Sequence, residues 1–373
     1  MYSIIIDTSI KTNMRHYFMK YKSILILCPS PNAKGGVADY YEMVEKYFNS
    51  DRMALQFYYT GKYDTNTTFL NRVYKSAKDL SNLFKVFRGK DLIVFNPSLD
   101  MRAILRDGVY HLIAKTIFDK KTIVFFHGWN HGLEGKIEKY AKCLFRSIFC
   151  FDKGLVLASQ FKVTLERWGY DPGRISLNTT IFEHHEVDGT KDPFKIIFLS
   201  RFARGKGCLE AIKAVEIVAR DFPQVKLYMA GDGELLEDMQ GYVVAHNLSD
   251  NVEFTGWIEG NAKYTLLQQC GIMLFPTSYG EGMPICVIEG MGMGLPIVTR
   301  PVAGIPDVLI DGDNGFLVES REPIDFAAKV KYLIENKALW QFISLNNILK
   351  ARENYEIRNV VKRLEEMYWE VAQ

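Results

Sequence analysis

The first half of the chain alternates short apolar runs with stretches in which apolar residues recur at helical spacing. Such alternation is typical of parallel α/β architecture, where buried strands are covered by amphipathic helices. The apolar runs predict strands at 23–28, 55–59, 92–96, 122–127 and 155–157. The periodic stretches predict helices at 39–48, 70–87 and 160–168.

The same alternation restarts after a polar segment at about 178–192, which indicates a second unit. Strands are predicted at 195–200, 225–230, 252–254, 272–275, 296–299 and 316–318. Helices are predicted at 207–221, 234–246, 261–269, 284–293, 324–336 and 360–371. Two doubly wound units around a linker form a cleft, and ligands of such sheets bind at the carboxyl ends of the strands.

Composition excludes several classes of protein. The 373 residues are 48% apolar and 24% charged, close to globular averages and unlike a disordered, coiled-coil or collagen-like chain. No apolar run approaches the roughly 18–20 residues of a membrane-spanning helix. The apolar start at 2–6 is too short for a secretory signal. Six scattered cysteines without a CxxC pair indicate buried small side chains. A cytoplasmic protein is expected.

Charge is distributed unevenly between the halves. Residues 1–180 hold 27 Lys and Arg against 16 Asp and Glu, whereas residues 181–373 hold 19 against 28. Basic residues recur at helical spacing along 70–88 and 136–149, in the second stretch beside apolar residues. This pattern favours an interfacial surface that contacts anionic lipid, at the inner face of the plasma membrane. A solvated basic face is an equal alternative. No nucleic-acid-binding module is recognised.

The strongest candidate site is the stretch 278–289, SYGEGMPICVIE, directly after a predicted strand. A helix that begins near Pro284 offers free amides and a positive dipole end for a phosphate group. The candidate donors are the amides of Met283, Ile285 and Cys286, since proline has none. Glu281 in the loop and Glu289 on the helix would flank that phosphate, and carboxylates accept hydrogen bonds from sugar hydroxyls. Glu289 lies among apolar residues and therefore needs a partner.

Three further features point to the cleft. Arg201 and Lys206 lie in a loop after a strand, where an arginine fork and a lysine point charge suit a diphosphate. Gly36, in a Gly-Gly pair after the first strand, allows close approach of the backbone to a ligand. His127 ends a strand beside a glycine; His131 is a weaker candidate. Asp311 and Asp313 imitate a metal-binding carboxylate pair, but a turn explains them, and neither metal nor cofactor is predicted.

Together these stretches resemble the retaining glycosyltransferases of family four, with Glu281 and Glu289 matching the paired-glutamate EX7E motif. The resemblance is dense from 195 to 320 and thinner before. Six other stretches match in order: KGGV at 34–37, SRFARGKG at 200–207, AGDG at 230–233, FTGW at 254–257, EGMGMGLPIV at 289–298 and NGFLV at 314–318.

The resemblance implies a GT-B fold: an N-terminal acceptor- and membrane-facing domain, 1–180, and a nucleotide-sugar donor domain, 181–354. It implies that the final helix, about 355–373, packs back on the first domain. By the same resemblance His127 hydrogen-bonds the donor sugar, Gly282 belongs to the donor site, and Gly256 and Trp257 lie near the base. The junction reads LNTTI at 177–181 instead of the family's PNGVD, and Met283 replaces a frequent aromatic residue. Both lie near the expected donor sugar, so the resemblance does not identify which sugar is used.

The function expected from the sequence is retaining, metal-independent hexosyl transfer from a UDP- or GDP-sugar to a hydroxyl of a lipid-linked or polysaccharide acceptor, in cell-surface glycan biosynthesis. In this reading Glu281 orients the sugar, Glu289 holds the ribose, and Arg201 with Lys206 holds the diphosphate. Two alternatives stay open. A nucleotide-sugar epimerase of the same fold would turn over a donor without an acceptor, and a non-catalytic nucleotide-sugar binding protein would turn over nothing.

Overall fold

The computed structural model describes residues 21–31, 33, 35–60, 82–187, 191–280 and 282–373. Most of the predicted helix at 70–87 lies outside these residues; its end, 82–87, is helical. The segment before residue 21 lies outside them as well.

The first half folds around a six-stranded parallel sheet of order β2-β1-β3-β5-β7-β8. Its strands are β1 (Lys22–Cys28), β2 (Met53–Tyr59), β3 (Leu92–Phe95), β5 (Lys121–Phe126), β7 (Lys153–Val156) and β8 (Ile175–Leu177); β4 (Ser98–Leu99) and β6 (Gly128–Trp129) form a separate short pair. The helices around this sheet are α1 (Gly36–Tyr47), α2 (Met101–Thr116), α3 (His131–Tyr140), α4 (Lys142–Ile148) and α5 (Ser159–Arg167).

The second half repeats the plan with strand order β11-β10-β9-β12-β13-β14, again all parallel. Its strands are β9 (Asp192–Leu199), β10 (Lys226–Ala230), β11 (Val252–Gly256), β12 (Cys270–Phe275), β13 (Ile297–Thr299) and β14 (Gly315–Leu317). Its helices are α6 (Cys208–Ala219), α7 (Leu236–Ala245), α8 (Gly260–Gln269), α9 (Ile285–Gly292), α10 (Ile305–Val308), α11 (Pro323–Glu335) and α12 (Lys337–Asn354). All six strands predicted here are present.

The last helix, α13 (Ile357–Ala372), returns to the first sheet. Glu365 accepts a hydrogen bond from Arg52 at 3.0 Å, and Lys22 donates to the carbonyl of Ala372 at 2.5 Å. The helix buries one face through Val360, Leu364 and Tyr368 among others. The chain therefore crosses between the halves twice, once through the linker and once before α13.

Two helices that the pattern did not predict are α2 and α12. Each exposes apolar side chains on its outer face, so no single apolar stripe marks it in the sequence. The exposed residues are Met101, Leu105 and Val109 on α2, and Phe342, Leu345 and Leu349 on α12. A local signal for α2 does exist, because the Asp100 side chain caps it by accepting from the amides of Arg102 and Ala103.

Candidate active site

The order of the strands in the two sheets indicates where a ligand would bind. β1 lies between β2 and β3, and β9 lies between β10 and β12, so each sheet reverses its winding direction next to its first strand. A crevice opens at the carboxyl ends of the strands at such a switch point. The loop of 200–207 follows β9, the 276–284 loop follows β12, and α1 follows β1. These are the segments that carry most of the predicted site residues.

The amino ends of α1 and α9 meet across the cleft. A Cβ atom built on Gly36, the first residue of α1, would lie 3.1 Å from Cδ1 of Ile285, the first residue of α9. Gly35 precedes α1 with φ of 149°, a conformation that favours glycine. Two positive helix-dipole ends thus come together at one place, where an anion is stabilised by both.

Gly282 forms a close approach between the halves. A Cβ atom there would lie 2.7 Å from the carbonyl oxygen of His127, so only glycine fits without a shift. The Gly282 carbonyl accepts from the amide of Gly304 at 2.9 Å, and the buried Met283 side chain packs beside Gly304. The loop before α9 is therefore held against the end of β5. Glu281 lies outside the described residues.

The basic loop packs against the loop that precedes α9. The amide of Ser278 donates to the Gly205 carbonyl at 2.7 Å, and Lys206 Nζ lies 4.4 Å from the centre of the Tyr279 ring. Lys206 is buried, with 7% of its surface exposed, whereas Arg201 is exposed. The lysine and arginine of this loop follow the carboxyl end of β9, and the loop packs against the segment that leads to α9, so cations and a helix amino end on one side of the cleft favour a site for a strongly anionic group.

Glu289 is buried on α9 with 3% of its surface exposed. Its Oε1 accepts from Lys263 Nζ at 2.5 Å and lies 3.4 Å from the Tyr264 hydroxyl, both on α8. Lys263 is thus the partner that burial requires. Asp39, on α1, lies near the same pair: burial raises its pKa, Lys263 lowers it, and the charge of Glu289 raises it. The Glu289 carboxylate therefore lies where the two halves of the chain meet.

The His127 side chain is half-buried against the rings of Tyr40, Tyr41 and Phe125. Its Nε2 lies 3.0 Å from Oδ1 of Asn96, which also accepts from the Tyr41 hydroxyl at 2.6 Å. Asn96 itself donates to the Leu27 carbonyl at 2.9 Å, which fixes the orientation of its amide. Since Asn96 Oδ1 is an acceptor, Nε2 carries the proton and Nδ1 keeps its lone pair. Burial lowers the pKa of His127 to about 3, so the ring is neutral at physiological pH.

The lowered pKa values of two histidines make the free energy of unfolding depend on pH. His111, fully buried on α2, has its pKa lowered by burial to about 4. Both histidines are neutral in the folded protein and protonate near pH 6.5 when unfolded, so their stabilising contribution is complete above about pH 6.5 and is lost as pH falls. We expect His111 alone to give a slope of about 1.4 kcal/mol per pH unit between pH 6.5 and 5. Urea unfolding of wild type and His111→Gln measures it; equal slopes would refute the assignment.

Gly256 ends β11, an edge strand of the second sheet, and Trp257 follows it. The Gly256 carbonyl accepts from the amide of Gly231 at 2.9 Å, and the indole of Trp257 donates to Glu259. Trp257 is 47% exposed. Asp311 holds its turn by accepting from the amide of Leu317 at 2.8 Å. Within the described ranges, no group of three or more His, Cys, Asp or Glu side chains is arranged to hold a metal ion.

The sequence pattern did not predict the residues that form hydrogen bonds to the predicted site residues. Lys263 and Tyr264 hold Glu289 from 26 and 25 residues away, and Asn96 and Tyr41 hold His127. The apolar surroundings of Glu289 in the sequence indicated that it needs a partner, but not that the partner is Lys263. Asn96 carried a weak signal, because it stands at the carboxyl end of a predicted strand.

The fold and part of the chain match known proteins. Residues 180–354 match the family model described as glycosyl transferases group 1. The whole chain superposes on the structure of Anabaena Alr3699/HepE in complex with UDP-glucose with a TM-score of 0.73, covering 94% of this chain and 100% of that one at 16% identity. The α/β fold with two parallel sheets is that of the GT-B glycosyltransferases, as predicted.

Among curated relatives, an uncharacterized glycosyltransferase of Methanocaldococcus jannaschii, MJ1178, is 29% identical over 150 residues, 40% of this chain and 41% of the relative. The capsular polysaccharide biosynthesis glycosyltransferase CapM of Staphylococcus aureus is 25% identical over 233 residues, 57% of this chain and 56% of CapM. The chain thus spans about half the length of these relatives.

Proposed function

We propose that the protein is a retaining glycosyltransferase that moves a hexose from a nucleotide diphosphate sugar to a hydroxyl of a lipid-linked or polysaccharide acceptor. The observation that carries this proposal is the meeting of the α1 and α9 amino ends, with the Lys206 loop packed against the loop that leads to α9. That arrangement concentrates positive potential where a diphosphate would lie. The match of 180–354 to glycosyl transferases group 1 supports the reaction class, and the name of CapM supports glycan synthesis.

Each predicted residue has a role in this proposal. Lys206 and Arg201 neutralise the diphosphate, with the amides of Ile285 and Cys286 at the start of α9. Glu289, held through one oxygen by Lys263, accepts hydrogen bonds from the ribose hydroxyls. His127 accepts a sugar hydroxyl at Nδ1, and Glu281 orients the sugar.

Retention follows from attack on the face that the diphosphate leaves. The bond between sugar C1 and the phosphate oxygen breaks with its electron pair on the diphosphate, and the acceptor oxygen bonds to C1. The acceptor proton passes to the departing phosphate oxygen. Lys206, Arg201 and the helix ends stabilise the leaving charge, so no metal ion is required.

The proposed acceptor side includes a membrane-facing surface, which we define by Met101, Leu105 and Val109 on α2 with Tyr140 and Leu144 at α3 and α4. All five are exposed apolar residues. Lys136, Lys139 and Arg146 are exposed beside them on α3 and α4. Apolar side chains rimmed by basic ones suit the interface of an anionic bilayer. No helix in the described ranges has the length and apolarity to cross a membrane.

Vesicle sedimentation tests this surface. Wild type is expected to bind phosphatidylglycerol vesicles and not phosphatidylcholine vesicles, and added salt should weaken binding. The double change Lys136→Glu and Lys139→Glu should weaken binding tenfold or more, because each basic residue near such a surface contributes ~1 kcal/mol. Lys337→Glu, an exposed change in the second half, is the control. Equal partition into both vesicle types would remove the electrostatic account.

The reaction is tested by incubating the full chain with UDP- and GDP-sugars, with and without membrane lipids and alkyl glycosides as acceptors. The proposal expects nucleoside diphosphate release that depends on acceptor and persists in EDTA. Epimerised donor without acceptor would establish the epimerase alternative. Binding without turnover under any condition would establish the binding protein, and loss of turnover in EDTA with recovery in Mg²⁺ or Mn²⁺ would contradict the metal-free mechanism.

A further inference from the structure

A histidine–carboxylate pair lies at the cleft beside the proposed donor site. His131, the first residue of α3, has Nδ1 2.9 Å from Oε2 of Glu134. The two side chains differ in exposure: that of His131 is 54% exposed and that of Glu134 only 17%. The carboxylate is therefore part of the protein interior, while the imidazole extends outward from it.

Glu134 is fixed by three further donors. The indole of Trp129 donates to Oε2 at 2.9 Å, the hydroxyl of Thr164 donates to Oε1 at 2.8 Å, and Arg167 approaches Oε1 at 3.5 Å. Burial raises the pKa of Glu134, but the hydrogen bonds from His131, Trp129 and Thr164 outweigh it and hold the pKa below its usual range. A fixed carboxylate orients the imidazole that it accepts from.

The far edge of the imidazole faces the loop that leads to α9. A Cβ atom built on Gly280 would lie 3.5 Å from Cδ2 and 3.8 Å from Nε2 of His131. Gly280 immediately precedes Glu281 in the chain. Since glycine has no side chain, Nε2 stays open at this point of the cleft. His131 thus stands on the first half of the chain, opposite the loop that would hold the donor sugar.

The fold does not require His131 in this position. Asn130 caps α3 by accepting from the amide of Leu133, and Glu134 keeps Trp129 and Thr164 as donors without the histidine. Glu134 therefore holds the His131 imidazole in place. Within the described residues, the fold does not depend on a contact made by Nε2 of that ring.

We propose that His131 is an acceptor-binding residue, whose Nε2 accepts a hydrogen bond from a hydroxyl of the acceptor glycan. This rests on the proposed function. Because the Glu134 carboxylate accepts from Nδ1–H, Nε2 is the ring nitrogen left to accept from a hydroxyl donor. The departing phosphate still takes the reacting proton, so His131 positions the acceptor and does not carry the chemistry.

The test is steady-state kinetics on His131→Ala and His131→Gln with the nucleotide sugar that wild type turns over and a panel of alkyl glucosides, mannosides and galactosides. His131→Ala should raise the acceptor KM about threefold to tenfold, the value of one hydrogen bond, and leave the donor KM within twofold. His131→Gln, whose amide oxygen can replace Nε2 as an acceptor, should recover part of the loss. His246→Ala, an exposed histidine of the second half, is the control.

The outcomes separate the two proposals. An active wild type whose His131→Ala variant keeps its acceptor KM, or loses donor and acceptor affinity equally, overturns the role of His131 alone. A lowered melting temperature in both variants together with unchanged KM values would show a structural role instead. A wild type that glycosylates none of the panel and no membrane lipid contradicts the proposed function, and this inference falls with it.

Discussion

Glu281→Ala is expected to lower kcat and kcat/KM by similar factors, about 100-fold or more. The reason is that Glu281 is proposed to stabilise charge that develops on the sugar only in the transition state, and removing one such preorganised group costs ~10²–10³ in rate. Donor KM should change little. Steady-state kinetics with a matched donor measures both constants.

Glu289→Gln provides the contrast, because ribose contacts are equal in the ground and transition states. It should mainly raise the donor KM while kcat stays near wild type. Glutamine is the better change than alanine here, since its amide oxygen keeps a hydrogen-bond acceptor for the Lys263 ammonium group and alanine would leave none. Glu335→Ala, at an exposed position, is the control. If Glu281→Ala turns over normally, or if both variants simply unfold, the glutamates are structural and the site assignment is wrong.

Lys206→Met should weaken binding of the nucleoside diphosphate and of the donor together, by about tenfold to a hundredfold. A hydrogen bond to a charged group contributes roughly 1.5–3 kcal/mol, and Lys206 is 7% exposed, so water screens its charge little. Arg201→Ala should act in the same direction. Calorimetric titration measures the affinity, and affinity for the bare nucleoside should stay constant.

The control for Lys206 is Arg204→Ala, because Arg204 is an exposed cation in the same loop. Its loss should leave diphosphate affinity within twofold of wild type. Unchanged affinity in Lys206→Met would contradict the assignment of the basic loop. Equal losses in Lys206→Met and Arg204→Ala would show general electrostatic attraction and no specific contact.

Pattern alone predicted the fold well where strands are buried on both faces. β12 and β13 are buried at every position, and they are almost entirely apolar because helices cover both sides of the sheet. The strands β4, β6 and β8 were not predicted, since β4 and β6 have only two residues each and β8 (ISL) is buried at its first residue only. Helices α2 and α12 were missed for a different reason, because their exposed apolar side chains hide the amphipathic pattern.

The candidate site was predictable as far as its residues are local in sequence. Gly36, Lys206 and Glu289 each stand next to the carboxyl end of a strand or the start of a helix, where short-range rules apply. Their partners are not local. Lys263 on α8 reaches Glu289 on α9, and Asn96 reaches His127 because β3 and β5 are neighbours in the sheet. Such pairs depend on tertiary packing, which single-sequence patterns do not contain.

The most direct measurement is a crystal structure of the full chain with the nucleotide sugar that it turns over. The account predicts the diphosphate between the amino ends of α1 and α9, within hydrogen-bond distance of the Ile285 or Cys286 amide and of Lys206 Nζ, with the ribose on Glu289. A nucleotide bound elsewhere, or one whose diphosphate touches neither Lys206 nor the start of α9, would contradict it.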